Sequence, residues 1–481
     1  MARSATQRRR SGLALALVCV AQFIDVLGVT IVVVALPSIG VELQADAGEV
    51  QWVVSIYALV FGGFLMLAGR AADLYGRRRL FMTGLALFVA ASLACGLAGS
   101  VAVLVAARAV QGLAAAIIVP AALSLLTTLF EPGPERTWAL GIWTAAAAGG
   151  GASGFFLGGV ITAGLGWQWI FFLNVPIAIL ALFLAPRLLE ESRDSGAPGL
   201  DVAGAATVSA GLLLLMFGLT RVERTGLAAP LTLGALALAV VLLIAFARTE
   251  RRARHPLLPP ALLHSRPLLG ANLVAFALTS TTSAAAVLGT LYAQDVLELS
   301  STTTGLAFLP FSLSVIAGSL LGAKLTARLG ARLPAGAGLL TVAAGLLVAV
   351  GIEADGGLSY LVAQLTLAGA GLGCASVAAT TAGTSAVGRG QQGLASGLLN
   401  SATQIGTALG IAVLVTVAAA RTNALTQTEP RAEALVSGYE WGFAAGAVAA
   451  LAAAFAAARL LRREGASSAG GTDAPGREPP G

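Results

Sequence analysis

The stretch GRAADLYGRRR at residues 69–79 and the stretch AKLTARLGAR at residues 323–332 are two versions of one short polar loop. When Gly76 is placed on Gly330, Arg70 falls on Lys324 and Arg78 falls on Arg332. Each loop joins two long apolar segments, and its glycine permits the tight turn that such a connection needs. The chain is therefore expected to contain a duplicated unit built from apolar segments around this loop.

Apolar segments continue on both sides of these loops along nearly the whole chain. Of the 481 residues, 57% are hydrophobic and only 11% are charged. About 20 mostly apolar residues suffice to cross the roughly 30 Å hydrocarbon core of a bilayer as a helix. The first segment is too long for a signal peptide and has no small-residue cleavage site, so it is expected to be retained. The sequence predicts an all-α membrane protein with fourteen transmembrane helices, at residues 13–36, 52–69, 80–99, 101–121, 139–161, 170–186, 203–219, 229–247, 268–290, 303–322, 334–351, 359–379, 393–418 and 440–460.

The basic residues indicate how the chain is oriented. Arg8 to Arg10, the cluster Arg77 to Arg79 and the arginines between residues 248 and 266 all fall on one side of the membrane. The positive-inside rule makes that side the cytoplasm and predicts a multi-pass protein of the plasma membrane with both termini inside. The net charge of +6 is spread over many short loops, so it indicates topology and not a nucleic-acid partner. The three cysteines fall inside predicted spans without metal-ligand spacing and are expected to be core residues.

The repeated loop divides the chain into six, two and six helices. The predicted order is a cytoplasmic tail at 1–12, a six-helix bundle at 13–186, a cytoplasmic linker at 187–202, two inserted helices at 203–247, a basic cytoplasmic loop at 248–267, a second six-helix bundle at 268–460 and a disordered cytoplasmic tail at 461–481. Duplicated six-helix halves are the architecture of major facilitator transporters, in which substrate binds near the midplane between the halves.

Three motifs carry a resemblance to that family. The loop at 69–79 resembles the signature GxLaDrxGrk, and LVAARAVQGLAAA at 104–116 fits the pattern lxxxRxxqGxgaa. The segment GGASGFFLGG at 150–159 is close to the antiporter motif GxxxGPxxGGxl, with Phe155 in place of the proline. The chain is identified as a member of the major facilitator superfamily over residues 12–463.

Shorter segments are similar to one branch of that family, the fourteen-span drug:proton antiporters. They are ALPSI at 35–39, WQWIFFLNVP at 167–176 and LYAQ at 291–294. The resemblance implies a proton-coupled efflux transporter for small amphiphilic compounds such as drugs or antibiotics. No cofactor besides the proton gradient, no metal site and a monomer in the lipid bilayer are expected.

The resemblance assigns roles to two groups of residues. A gating latch is expected at the repeated loop, where Asp73 would pair with a basic residue or a helix N-terminus when the cytoplasmic face is closed. Its members are Gly69, Asp73, Gly76, Arg77 and Arg78. Small residues let helices approach closely and slide, which is the role expected of Gly150, Gly154, Gly158 and Gly159. Because Phe155 replaces the proline of that motif, the kink that proline would give this helix is not expected from the sequence.

The first span departs from the branch. Its members commonly read LDxTIVNVALP, whereas this chain reads LGVTIVVVALP at 27–37, with Gly28 at the usual aspartate position. Asp25 lies three residues earlier, on nearly the same helix face, and is the sole acidic residue well inside a predicted span.

Arg108 is the sole basic residue inside a predicted span. An intramembrane charge costs at least about 2.5 kcal/mol, so such residues indicate function. Asp25 and Arg108 are therefore predicted to couple transport to protons. The alternatives are an Asp25 that pairs with a neighbouring helix and an Arg108 that caps backbone carbonyls.

The substrate cavity is the least determined feature. Aromatic and amide residues within spans are candidates to line it, although packing or lipid-facing positions explain them equally well: Phe23, Gln111, Trp143, Phe155, Phe276, Gln364 and Gln404.

Other function classes stay open to different degrees. Uptake or uniport, and a transporter-like sensor that no longer transports, are separable from export only by measuring flux. An enzyme would need more than His255 and His264, which share one loop without paired acids. A channel would show rings of pore-lining polar residues, which the sequence lacks.

Overall fold

The computed structural model describes residues 5–193, 202–226, 229–250, 262, 265–354 and 357–461. Every regular element in these residues is helical. Among the described residues, fourteen helical spans are long and apolar enough to cross a membrane, the sixth together with the short helix Trp169–Phe172 before it, and this confirms the predicted fold class. They are α1 (Ala5–Glu42), α2 (Ala47–Tyr75), α3 (Arg77–Gly96), α4 (Val101–Leu129), α5 (Pro134–Leu165), α6 (Asn174–Leu188), α7 (Val202–Thr225), α8 (Pro230–Glu250), α9 (Arg266–Leu291), α10 (Leu309–Leu329), α11 (Arg332–Val348), α12 (Ser359–Ser385), α13 (Gln392–Leu425) and α14 (Arg431–Leu460).

Short elements extend or connect these helices. Four-residue and seven-residue helices, Trp169–Phe172 and Ser301–Ala307, precede α6 and α10. A π-helical turn, Tyr292–Val296, continues α9, and 3₁₀ turns lie at Ala349–Gly351 and Arg389–Gln391.

Most helices extend beyond the predicted apolar segments, because helical hydrogen bonding does not end where the hydrocarbon core of the membrane ends. Local signals set their ends instead. At the start of α2, the side chain of Asp46 accepts a hydrogen bond from the backbone of Glu49, whose side chain accepts one from the backbone of Asp46. Ser100 caps α4 in the simpler way, by accepting from the backbone of Val103.

The repeated loop folds alike in both copies. Gly76, between α2 and α3, has φ 108°, and Gly330, between α10 and α11, has φ 77°. Side chains disfavour positive φ, so a glycine is needed at both turns.

The same helix pairs pack in the first six and the last six helices. The pairs α1–α5, α2–α4, α3–α4 and α3–α6 recur as α9–α13, α10–α12, α11–α12 and α11–α14. We call α1–α6 the N-half and α9–α14 the C-half.

The halves meet along two equivalent seams, α2 with α13 and α5 with α10. A Cβ atom added at Gly397 would touch the carbonyl of Leu65, and one added at Gly141 would touch the carbonyl of Ser319. Leu65 and Ser319 precede the turn glycines of their helices by the same number of residues. The two seams are therefore related by the duplication.

The inserted helices lie beside one seam only. α7 packs against α8 and against both α2 and α13, whereas α8 packs chiefly against α7. Beside the seam, Gly63 faces Leu213, and Gly62 faces Met216 and Gln404. α8 exposes large apolar side chains such as Leu238 and Val241, as a lipid-facing helix does.

Parts of the predicted segments lie outside the described residues: 1–4 of the N-terminal tail, 194–201 of the linker, 227–228 between the inserted helices, 251–261 and 263–264 of the basic loop, 355–356 of the second bundle and 462–481 of the C-terminal tail. Both histidines fall among them. We call the side of the molecule on which α1 begins and α14 ends the terminal face.

Candidate functional site

A buried carboxylate lies inside the N-half at the contact between α1 and α2. Asp25 is 7% exposed and Tyr57 is 2% exposed. The hydroxyl of Tyr57 donates a hydrogen bond of 2.5 Å to Oδ1 of Asp25. Hydrogen bonds to an ionised acceptor are roughly twice as strong as neutral ones, so this bond fixes the position of the carboxylate.

Arg108 on α4 is fully buried and lies on the other side of the same tyrosine. Its guanidinium carbon is 4.3 Å from the centroid of the Tyr57 ring, a cation–π contact. Nε donates to the carbonyl of Val53 at 2.9 Å, and Nη1 donates to the carbonyl of Gly28 at 3.3 Å. Nη2 is buried and has no hydrogen-bond partner among the described atoms.

Asp25 and Arg108 do not pair directly. Among the ion pairs that the structure describes, none within 4.0 Å joins their side chains. Tyr57 stands between the two charges, bound to one by its hydroxyl and to the other by its ring face.

Two further polar side chains complete the group. Oε1 of Gln111 accepts a hydrogen bond of 2.7 Å from Nη1 of Arg108, and Nε2 of Gln111 donates to Oγ of Ser92 at 2.9 Å. Gln111 is fully buried, so it does not line an open cavity as the sequence suggested, because its amide is bound to Arg108. We call Ser92, Asp25, Tyr57, Arg108 and Gln111 the charge cluster.

Position 28, where the drug:proton antiporter branch commonly has an aspartate, also belongs to this region. Gly28 takes part through its backbone carbonyl, which accepts from Arg108. The buried carboxylate of this helix, Asp25, lies about one turn earlier against Tyr57. Both features sit at the contact of α1 with α2 and α4.

The predicted latch residues lie where α2 meets α13 at the terminal face. The two oxygens of Asp73 accept from the backbone N–H groups of Gly393 at 2.9 Å and Leu394 at 3.0 Å, in the first turn of α13. Arg77 donates to Asp73 at 2.8 Å, and the two side chains are 3% and 0% exposed. A negative charge at a helix N-terminus is favourable, so Asp73 binds both a basic side chain, Arg77, and the N-terminus of α13. We call these contacts the Asp73 latch.

Glycines allow the latch to close tightly. A Cβ atom at Gly69 would collide with the carbonyl of Gly393, so α2 and α13 approach backbone to backbone. Gly76 supplies the turn that directs Arg77 back toward Asp73.

Arg78, also assigned to the latch, contacts the segment that follows α6. Glu191, beyond the end of α6, accepts from the backbone N–H groups of Arg78 and Arg79, both at 3.2 Å. The carbonyl of Ser192 accepts from the backbone of Arg77 at 3.0 Å. Glu191 and Ser192, which follow α6, therefore cap the N-terminus of α3. No local sequence pattern predicts this contact.

A second contact, not foreseen from the sequence, closes the terminal face near the α5–α10 seam. Nη2 of Arg136, in the first turn of α5, donates to Oε1 of Gln392 at 2.9 Å. Nε2 of Gln392 donates to the carbonyl of Thr384 at 3.0 Å. This links α5 to the ends of α12 and α13.

Three of the four antiporter-motif glycines touch α1. Cβ atoms at Gly150, Gly154 and Gly158 would meet Phe23, Thr30 and Ile31, respectively. A Cβ atom at Gly159 would meet nothing within 4 Å, so Gly159 makes no close packing contact. The side chain of Phe155 lies outside what the structure describes.

The remaining cavity candidates fall into two groups. Phe23 on α1, Phe276 on α9 and Gln404 on α13 are partly exposed. Trp143 and Gln364 are 7% and 1% exposed, so both are buried, and Oε1 of Gln364 has no hydrogen-bond partner among the described atoms.

Comparison with known proteins finds clear relatives. The family model described as Major Facilitator Superfamily matches residues 18–411 and 273–480. The puromycin resistance protein pur8 of Streptomyces alboniger is 39% identical over 397 residues, 81% of this chain and 78% of that protein. The cephamycin export protein CmcT of Amycolatopsis lactamdurans is 39% identical over 401 residues, 81% of this chain and 82% of that protein.

Further matches include a multidrug resistance protein and a solved structure. The multidrug resistance protein Stp of Mycobacterium tuberculosis is 35% identical over 383 residues, 80% of this chain and 71% of that protein. Among solved structures, the human organic anion transporter MFSD10 (TETRAN) is similar in fold, with a TM-score of 0.67 and 16% identity, covering 94% of this chain and 100% of that one.

Proposed function

Because this chain belongs to the Major Facilitator Superfamily, among its fourteen-span drug exporters, we propose that it exports small amphiphilic compounds across the plasma membrane in exchange for protons. The observation that carries the coupling is the buried Asp25, held at Tyr57 beside Arg108 within the N-half. The names of the relatives support export as the direction of transport.

Asp25 is the proton carrier in this mechanism. It takes a proton from outside the cell and releases it inside, while substrate occupies the cavity when the carboxylate is free. A buried carboxyl group near a cation can be tuned to exchange its proton within the working pH range. Arg108 sets when the proton leaves.

The terminal face is the cytoplasmic face, as the distribution of arginine suggests. With the Asp73 latch and the Arg136–Gln392 contact formed, the molecule is closed toward the cytoplasm. Opening this face breaks both contacts and lets substrate enter from the cell interior.

We place the substrate cavity between the halves, where aromatic and neutral polar side chains are the candidates to line it. Phe23 and Phe276 supply apolar surface, and Gln404, Ser283 and Thr407 on the C-half are partly exposed. Acidic side chains are scarce among them, which favours neutral or singly charged compounds over dications. Such a site suits amphiphilic antibiotics.

One proton per cycle supplies enough energy for useful export. At a membrane potential of about 150 mV, one charge that crosses contributes ~3.5 kcal/mol. That free energy supports a concentration ratio of roughly 300-fold.

Efflux from pump-deficient cells tests the proposal. The probes are ethidium, puromycin and lincomycin, with and without a protonophore. Wild-type protein is expected to lower their accumulation only when the proton gradient is intact. Asp25→Asn is expected to reduce this efflux at least tenfold, since an amide cannot carry the proton.

Asp295→Asn is the matched control, because Asp295 also accepts a hydrogen bond from a tyrosine, Tyr439, at 3.5 Å but lies exposed in the C-half. It is expected to keep wild-type efflux. Protonophore-sensitive efflux that survives Asp25→Asn would refute Asp25 as the carrier, and efflux that ignores the protonophore would refute proton coupling itself.

A further inference from the structure

Tyr57 connects the two charges of the N-half by two different parts of one side chain. Its hydroxyl binds the carboxylate of Asp25 at 2.5 Å, and its ring lies 4.3 Å from the guanidinium carbon of Arg108. Its backbone is fixed as well, because a Cβ atom at Gly112 of α4 would touch the Tyr57 carbonyl. A side chain held at both ends and at its backbone has little freedom to be anywhere else.

The opposite charges on either side of Tyr57 are left unpaired with each other. Arg108 uses Nε and Nη1 on carbonyls and on Gln111, yet its buried Nη2 has no partner among the described atoms. A buried donor without a partner is costly, and such a group calls for an explanation. A donor held ready for Asp25 in another conformation supplies one.

We propose that Tyr57 is the positioning residue of the proton-coupling step: its hydroxyl holds Asp25 away from Arg108 while the cytoplasmic face is closed, and its release lets the carboxylate reach Nη2 of Arg108. This inference rests on the proposed proton coupling and adds a residue to it. Tyr57 keeps its own proton throughout, and the O–H bond that forms and breaks is that of the Asp25 carboxyl group.

The surroundings of Asp25 contain few other groups that could take this role. Tyr57 faces it from α2 and Arg108 from α4, with Cys95 of α3 beyond Arg108. α5 brings Gly150 and Gly154 to α1. From α6, Ala178 belongs to the same apolar core.

The test measures the closure of the terminal face against pH without any substrate. Spin labels are placed on cysteines introduced at Pro132 and Arg328, exposed residues of the N-half and the C-half beside the α5–α10 seam. The three native cysteines are buried and can stay. Label distances in the full chain in lipid nanodiscs give the ratio of closed to open molecules at pH 5.5 and pH 8.0.

Tyr57→Phe removes the hydroxyl and keeps the ring over Arg108. The ratio of closed to open molecules in wild-type protein is expected to change with pH, and this response is expected to vanish in Asp25→Asn. In Tyr57→Phe, the change in the ratio of closed to open molecules between the two pH values should be about tenfold smaller. Tenfold is the equilibrium factor that corresponds to the loss of one hydrogen bond to a charged group. Tyr439→Phe, which removes a tyrosine hydroxyl from Asp295 in the C-half, should respond like wild type.

The outcomes distinguish the role of Tyr57 from proton coupling at Asp25. A normal pH response in Tyr57→Phe, together with its loss in Asp25→Asn, overturns the role of Tyr57 and leaves the coupling at Asp25 intact. A wild-type protein whose closure ignores pH overturns proton coupling at Asp25, and the inference falls with it. A melting temperature of Tyr57→Phe close to that of Tyr439→Phe shows that a changed response is not a loss of fold.

Discussion

The N-half and the C-half have the same arrangement of packed helices, yet only the N-half contains the charge cluster. In the N-half, a Cβ atom at Gly112 of α4 would touch the carbonyl of Tyr57. In the C-half, a Cβ atom at Gly369 of α12 would touch the carbonyl of Phe311 in the same way. Phe311 therefore occupies the place of Tyr57, with a ring and no hydroxyl.

The remaining positions follow from these pairs. Leu365 precedes Gly369 as Arg108 precedes Gly112, and Ala368 takes the place of Gln111. Leu278 takes the place of Asp25, since Phe276 lies against Gly406 as Phe23 lies against Gly150. Leu278, Leu365 and Ala368 are at most 1% exposed.

This difference separates the residues that the shared helix packing requires from those that the proposed transport requires. Helices with the same contacts pack with leucine, alanine and phenylalanine in one half and with two charges, a tyrosine and an amide in the other. Since burying charge within a membrane domain is costly, the charge cluster is the part of the N-half that the proposed function assigns to transport.

The largest expected effect comes from making the N-half a copy of the C-half. The combined variant Asp25→Leu, Tyr57→Phe, Arg108→Leu and Gln111→Ala should fold, because replacing a buried charged group as a whole by apolar residues is often neutral or stabilising. It should show no proton-driven efflux of any probe. Melting temperature and efflux check the two statements separately.

The single variant Arg108→Leu is the control for that combination. It leaves Asp25 without its nearby cation and Gln111 without its donor, so it should cost about 3 kcal/mol of stability and melt below the combined variant. A combined variant that fails to fold would show instead that the frame of the N-half depends on its charges.

A smaller effect is expected at the terminal face, where the halves also differ. Ala327 holds the place in the C-half that Asp73 holds in the N-half, so this position has no carboxylate to bind the N-terminus of α5. Asp73→Ala removes two backbone hydrogen bonds to a carboxylate, which should favour the open state by about 3 kcal/mol, or roughly 100-fold. Spin-label distances between residues 132 and 328 measure it.

Asp46→Ala provides the comparison, since Asp46 also caps a helix N-terminus, that of its own helix α2, away from the terminal face. It should leave the closed fraction unchanged. An equal opening in both variants would mean that capping in general, and not the contact between the halves, controls closure.

The smallest effects concern glycines. Gly150→Ala and Gly406→Ala should each destabilise the protein by about 1–3 kcal/mol, because each adds a methyl group against the backbone of α1 or α9. Gly159→Ala should be neutral or stabilising by up to ~1 kcal/mol, since alanine is the better helix former and the position is open. Melting temperatures of the purified variants test this, and equal losses at all three positions would contradict it.

The fold could be predicted from the sequence because its signals are local. Long apolar segments between charged loops define the spans, and the matching glycines at 76 and 330 reveal the duplication. Asp25 and Arg108 were identifiable for a similar reason, since a charge within an apolar segment stands out.

The rest of the site depends on distant contacts. Tyr57 in an apolar span looks like any packing residue, and only its contact with Asp25, 32 positions away, distinguishes it. The sequence offers Gln111 as a cavity residue because a polar residue in a span does not show whether it faces open space or another side chain. Glu191 acts 113 positions from Arg78, beyond the reach of any pattern.

The position of α7 determines how the molecule divides when it moves. α7 lies against both α2 and α13, and it cannot keep both contacts if those helices separate. Its contact with α2 is the more extensive, and α8 travels with it. The moving parts are then bodies of eight and six helices. In a viscous bilayer, two bodies that turn against each other share the rotation inversely to their drag, so the six-helix body sweeps the larger angle.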